Sequence, residues 1–426
     1  MQVSVNVRDD RRAHRRRATL PALVAAALLA LCAVAGVLLW RTVVPPLRLP
    51  QLDPAPYFTA AGLARLHRFR HVSRGLLLGS LAAQLLVLAL LAWRGRTLAA
   101  RLPLPTRARV RTGVAVGLLA VVAVWLVTLP VDGVFHWWSA RYGLTNQGYA
   151  AWLGDEAVAL LVRAVLVALA VAIVMTLAGR LGAWWWLVGA PALAGAAVVY
   201  VVLQPVVVQP LLTSVHPLRN PALTRELEAL ARRMGVHVSG VDVENASSQT
   251  TAANAEAVGV GPSGRVVLWD TLLDGRFSRA EIRVVAAHEF GHVKRHHVWK
   301  GLAWFAVITI PAAAILALVC ERARRGGVAH PAVVPLGLLL AFVLFLATLP
   351  LQNAVSRRYE AEADWLALEA TRDPGAMIAL QQGFVRTSLA DPHPPAWVTV
   401  FFGDHPTTMQ RIGMAVAFRK VARAGS

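Results

Sequence analysis

Two histidines and a glutamate, His288, Glu289 and His292, stand in the run His-Glu-Phe-Gly-His, and their types and spacing suit a metal-activated hydrolase. On a helix His288 and His292 project from one face about one turn apart, where both imidazoles can reach one metal ion. Imidazole nitrogen suits Zn2+. Two imidazoles and a carboxylate leave a fourth tetrahedral position for a water, which the metal acidifies and Glu289 can deprotonate for attack on a peptide carbonyl. The bland alternative is a helix that carries these residues by coincidence. Val284, Val285, Ala286 and Ala287 argue against it, since they mark a buried helix, an odd place for a fortuitous charged cluster.

A third protein ligand must come from elsewhere in the chain. The charged run at residues 356–364, Ser-Arg-Arg-Tyr-Glu-Ala-Glu-Ala-Asp, is the obvious source. Glu360 and Asp364 are four apart on an expected helix, so one can bind zinc while the other accepts a proton from a ligand histidine. Glu362 points elsewhere in this reading. Without the histidine motif the same run would read equally well as a solvated, ion-paired helix face.

The elements that position these groups follow from local patterning. Ser278 with Glu281 three residues later forms a capping box, so a helix begins there and runs through His292. Leu223, Leu227, Leu230 and Met234 recur at helical spacing. Val241 to Val243 precede a polar stretch at 247–254. Alternation over 257–261 and the apolar run 266–269 then predict a hairpin turning at Pro262-Ser263-Gly264.

Most of the chain is of another kind. The 426 residues are 57% hydrophobic and 15% charged, which points to the membrane class. Seven apolar blocks, uncharged but for Arg163 in the fourth, at residues 20–40, 75–93, 113–129, 157–177, 184–203, 302–320 and 331–351, have about the 20 residues needed to cross a hydrocarbon core of roughly 30 Å. The expected organisation is a basic arm at 1–18, five crossings within 19–203, a first catalytic part at 204–301, two crossings within 302–351 and a second catalytic part at 352–426. Two crossings separate the catalytic parts, so both face the same side of the bilayer and can meet. The first block is longer than a signal peptide core and no small-residue cleavage site follows, which predicts a retained anchor.

The net charge of +20 comes mainly from arginines beside apolar blocks, where they meet anionic headgroups; this favours lipid over nucleic acid as the partner. Cys32 and Cys320 both fall in apolar blocks, which excludes a disulfide framework or a cysteine-rich metal site. Trp184, Trp185 and Trp186 read as an interfacial belt. His296 and His297 read as the positive end of the motif helix, and His136 and His393 as interfacial or loop residues.

With these residues in hand, the chain resembles the zinc-dependent CAAX prenyl protease 1 family and, more distantly, the HtpX membrane proteases. The resemblance rests on the histidine motif, on SRxxExxAD read as Ser356, Arg357, Glu360, Ala363 and Asp364, and on HPxxxxRI read as His405, Pro406, Arg411 and Ile412. Asn254-Ala255 and Asp270-Thr271-Leu272-Leu273 add to it. The resemblance implies a mainly α membrane protein whose roughly seven transmembrane helices enclose a chamber, joined to a small α+β zincin domain of gluzincin type. It implies one Zn2+ per chain held by His288, His292 and Glu360, with Glu289 as general base and a protein or peptide substrate. Asp364 and Arg411 then support the ligands, His405 stabilises the oxyanion, and Asn254 and Ala255 lie on an edge strand that pairs with substrate backbone. Tyr142 to Asn146 and Asp155 resemble the segment after the third membrane helix, with Asp155, Glu156 and Arg163 facing the chamber.

The resemblance also implies a multi-pass cell-membrane protein with its site on the cytoplasmic side. Arginines flank the helices on both sides, at 11–17, 94–111 and 322–325 and again at 41–74, so the positive-inside rule does not choose. Two other function classes are a catalytically silent chaperone or scaffold of the same fold, and a transporter with a regulatory zinc. The transporter requires midplane ligands and repeat symmetry, which the sequence lacks.

Overall fold

A computed structural model describes residues 7–101, 108–258, 265–324 and 327–424. In chain order the helices and strands are α1 (Val7–Leu39), α2 (Ala60–Trp93), α3 (Gly95–Arg101), α4 (Arg109–Arg141), α5 (Tyr149–Leu181), α6 (Trp186–Leu203), α7 (Gln209–Leu212), β1 (Val215–Pro217), α8 (Pro221–Arg233), β2 (Val241–Glu244), β3 (Ala255–Val258) and β4 (Arg265–Trp269). There follow α9 (Arg279–Lys294), α10 (His297–Ala323), α11 (Val334–Thr371), α12 (Pro374–Ser388), α13 (Ala396–Phe402) and α14 (Thr408–Ala424).

Among the described residues six helices are long and apolar enough to cross a bilayer: Ala60–Trp93, Arg109–Arg141, Tyr149–Trp184, Trp186–Leu212, His297–Ala323 and Pro331–Thr371. The block expected at 20–40 falls on α1, whose described apolar stretch, Leu23–Leu39, is shorter than those six. α6 continues through a wide turn at Gln204–Val208 into α7, where Pro205 and Pro210 remove backbone donors. α11 is unbroken from its apolar half to the charged run, so a membrane crossing and residues 356–364 share one helix.

The expected hairpin is present as β3 antiparallel to β4, with Ala255 opposite Leu268; its turn residues, 262–264, lie outside the described residues. β4 pairs parallel with β2, and β2 antiparallel with β1, giving the order β1-β2-β4-β3. β3 is therefore an edge strand. The sheet's buried side chains, Val241, Val266 and Leu268, join Leu227 and Leu230 of α8, Val284 and Phe290 of α9 and Leu368 of α11 in one core. This core joins segments 204–301 and 352–426, the two parts expected to meet.

Trp184 to Trp186 do not form the expected interfacial belt. Trp184 is 39% exposed, but Trp185 and Trp186 are 2% and 6% exposed. They pack with Ala178, Ala190 and Ala317, because the short turn at Gly182–Trp184 swings them back between α5, α6 and α10.

Candidate metal centre

Local chemistry sets the motif helix first. Ser278 Oγ accepts the Glu281 N–H while Glu281 accepts the Ser278 N–H, so the capping box forms as expected and starts α9. Ten buried positions run from Glu281 to Gly291, His288 and Glu289 among them. α11 lies close against α9: a Cβ on Gly291 would sit 3.1 Å from Ala363 Cα. Glycine in the first motif and alanine in the second thus let the two helices bring their polar groups together.

Where these helices meet, the ligand atoms of His288, His292 and Glu360 lie within 4.8 Å of one another. His288 Nε2 is 3.1 Å from His292 Nε2 and 3.2 Å from Glu360 Oε2, and His292 Nε2 is 3.4 Å from Glu360 Oε1. Tetrahedral bonds of zinc length place ligand atoms about 3.3–3.4 Å apart, so the triangle has the size of one face of such a site. Glu360 Oε2 is buried without a hydrogen bond and faces ring nitrogens of His288 and His405, each at 3.2 Å, an acceptor that a cation would satisfy. The residues present fit a zinc ion.

The groups behind the ligands are ordered. Asp364, 1% exposed, accepts from His288 Nδ1 at 2.9 Å and from Arg411 Nε and Nη2 at 2.8 and 2.5 Å. This leaves His288 Nε2 facing inward. Burial works to lower the His288 pKa, but the hydrogen bond to Asp364 and the nearby Glu360 carboxylate raise it to about 10. His292 is pushed the other way, to about 3, by burial and then by the neighbouring His288. Burial raises Glu289 to about 7, against the effect of His288.

Further polar groups surround this centre. Trp269 N–H donates to Asn254 O, so strand alternation turns the Ala255 and Ala257 backbone groups toward the open edge, and the Ala257 N–H meets Glu289. Asn254 and Ala255 line a cavity of about 1010 Å3 together with Glu289, Glu360, His405 and Arg411. Its further walls are apolar, built by Met175, Ile308, Leu338 and Phe345 from the crossing helices. His405 Nε2 stands 3.2 Å from Glu360 Oε2. His405 is exposed at its outer side; partial desolvation opposes its charge, but Asp404 and Glu360 outweigh this and raise its pKa. Arg357, whose Nη1 donates to Thr399 O and Gly403 O, tethers the loop that leads to His405.

The residues expected at the site thus lie within one assembly, while several of their neighbours sit elsewhere than expected. Asp155 does not line this cavity; it accepts from Gln147 and Gln249, tying the segment after α4 to the catalytic part. Glu156 and Arg163 are also absent from its wall. His136 is buried against Tyr149 and Trp152 and bonds Gln147 O, whereas His393 is exposed in a loop as expected. His296 is exposed, but His297 is buried, with Nδ1 3.0 Å from His292 Nδ1. Glu362 points away from the His288–His292–Glu360 triangle and is fully buried, bonded to His297 and Arg295. Periodicity could not find His297, because α9 ends at Lys294 and His296, in the left-handed region at φ 53°, redirects the chain.

Crossing helices around an apolar cavity, with a histidine-histidine-glutamate centre and a free strand edge at its end, define a membrane-embedded metalloprotease. Comparison with known proteins agrees. The model for CAAX prenyl protease N-terminal, five membrane helices, matches residues 69–214, and that for peptidase family M48 matches 217–417. The chain is 32% identical over 295 residues to "Uncharacterized metalloprotease YhfN" of Bacillus subtilis (strain 168), covering 67% of this chain and 69% of that one. It is 26% identical over 227 residues to "CAAX prenyl protease 1 homolog" of Oryza sativa subsp. japonica, covering 51% and 52%. The crystal structure of S. mikatae Ste24p shares the fold, with a TM-score of 0.75 at 18% identity over 93% of this chain and 98% of that one. The chain belongs to peptidase family M48.

Proposed function

We propose that the chain is a zinc-dependent endopeptidase that cleaves membrane-associated or prenyl-bearing protein substrates at the His288–His292–Glu360 centre. The observation that carries this reading is the convergence of those three ligand groups beside Glu289 at the polar end of an apolar cavity. Bound zinc supplies Lewis acidity and lowers the pKa of a water. Glu289 accepts the proton of the attacking water on its carboxylate and later delivers it to the leaving amine. His405 donates from Nε2 to the developing oxyanion, and the open edge at Asn254 and Ala255 pairs with substrate backbone in an extended form. Asp364 and Arg411 hold His288 in its working orientation.

In this reading the motif helix, the edge strand and a glutamate from a later helix form the gluzincin arrangement. The block at 20–40 on α1 serves as a seventh crossing, and the site faces the cytoplasm. The apolar cavity walls support a substrate that brings a hydrophobic segment or lipid with it. The experiment is cleavage of an unfolded membrane protein and of a prenylated peptide by detergent-purified chain, wild type against Glu289→Gln, with zinc quantified in both. Cleavage should fall by about 10²–10⁴-fold in the variant while zinc stays near one per chain, and chelation should abolish wild-type cleavage until zinc is restored. Equal cleavage by both chains would remove Glu289 from its role. Zinc binding without cleavage of either substrate would favour the catalytically silent scaffold.

A further inference from the structure

We infer that His297 and Glu362 form a positioning pair for His292, a hydrogen-bonded relay that orients the second ligand histidine as Asp364 orients the first. The inference rests on reading His288, His292 and Glu360 as the metal centre.

An imidazole that presents Nε2 to a metal carries its proton on Nδ1 and needs an acceptor there, which sets both ring orientation and ligand basicity. For His288 the acceptor is a carboxylate in direct contact, Asp364 Oδ1 at 2.9 Å. For His292 the group at Nδ1 is another ring nitrogen, His297 Nδ1 at 3.0 Å. Two facing Nδ1 atoms hydrogen-bond only if one carries the proton and the other accepts it. With His292 as the donor, His297 accepts on Nδ1 and keeps its own proton on Nε2. That nitrogen lies 2.9 Å from Glu362 Oε2, so one geometry fixes both tautomers and leads to a carboxylate.

The relay is held on every side. Glu362 is 0% exposed; its charge is offset by Arg295 Nε at 2.9 Å and Lys300 Nζ at 3.7 Å, and the Val43 N–H donates to it at 2.8 Å. The His297 ring stacks flat on Tyr359, with centroids 4.6 Å apart and planes 9° apart. Tyr359 is itself pinned, accepting from Trp304 Nε1 and donating to Leu39 O at the end of α1. A core histidine with no role at the centre could satisfy Glu362 alone; the bond to His292 together with the locked ring plane directs it at the ligand. The two ligand histidines are therefore backed unequally, one by a carboxylate and one by a carboxylate acting through a second ring.

The test is zinc affinity of the full-length detergent-purified chain by chelator competition, for wild type, His297→Phe, His297→Gln and Glu362→Gln. Phenylalanine keeps the stack on Tyr359 but removes the acceptor, and should weaken zinc binding by about 10–100-fold. Glutamine, which can accept from His292 and donate to Glu362, should recover most of that loss, a rescue that a packing role alone does not produce. Glu362→Gln should weaken binding in the same direction and decides the matter if His297→Phe fails to fold. Wild-type affinity in His297→Phe, or in Glu362→Gln where that variant decides, overturns the relay and leaves the metal centre standing. Absence of zinc from the wild-type chain overturns the metal-centre reading itself.

Discussion

Replacing Gly291 by alanine tests the helix packing on which the centre depends. The added Cβ would lie 3.1 Å from Ala363 Cα and 3.4 Å from both Ala363 Cβ and O. Unstrained carbon atoms meet at about 3.5–4.0 Å, so α9 and α11 must separate by roughly half an ångström. The same helix pair carries His288 and His292 on one side and Glu360 on the other, now 3.2 and 3.4 Å apart. Separation on this scale opens the ligand triangle. Overpacking of this kind costs about 1–3 kcal/mol of stability. A misplacement of about 1 Å can cost about 10²-fold in rate, so half of it should cost roughly tenfold. The assay is thermal unfolding, bound zinc and cleavage rate for Gly291→Ala, Ala363→Gly and the double variant. Ala363→Gly takes away the methyl group that the new side chain would meet but leaves the α11 backbone in its way, so the double variant should recover only part of the loss. Wild-type stability and rate in Gly291→Ala would refute the close-packing reasoning.

Two further substitutions probe the support of the centre. Asp364→Asn leaves the buried Arg411 guanidinium without its counter-charge, which should cost about 3–5 kcal/mol in unfolding experiments; a change under about 1 kcal/mol would speak against that pairing. The same variant should lower zinc affinity by about 10–100-fold in chelator competition, because His288 loses its carboxylate acceptor. Arg357→Ala frees Thr399 O and Gly403 O and loosens the loop that carries His405. Its cleavage rate should drop by about tenfold with zinc content unchanged, and loss of zinc instead would mean that Arg357 supports the ligands themselves.

Much of the centre was legible in the sequence because its parts are local. The capping box, the four-residue spacing of His288 and His292, and the four-residue spacing of Glu360 and Asp364 each depend on one helical turn, whose geometry is the same in any fold. The crossing helices were legible for a related reason, since a bilayer core demands long uncharged runs whatever their neighbours. Even the meeting of the two catalytic parts follows from counting crossings between them.

What only the tertiary structure decided are relations between segments far apart in the chain. Residue types around Gly291 and Ala363 do not announce that two helices touch there, because a small side chain signals close approach only once its neighbour is known. Trp185 and Trp186 have the composition of an interfacial belt and are buried because a tight turn folds them inward. Glu362 and His297 are 65 residues apart and on different helices, so neither periodicity nor motif could pair them; burial brings them together, since a carboxylate removed from water needs donors fixed around it. The amino-acid sequence by itself thus determined which groups can do the chemistry and that the chain is embedded in a membrane. The packing of α9, α10 and α11 decided how those groups face one another, because distances between helices are set by side chains that meet only in the folded chain.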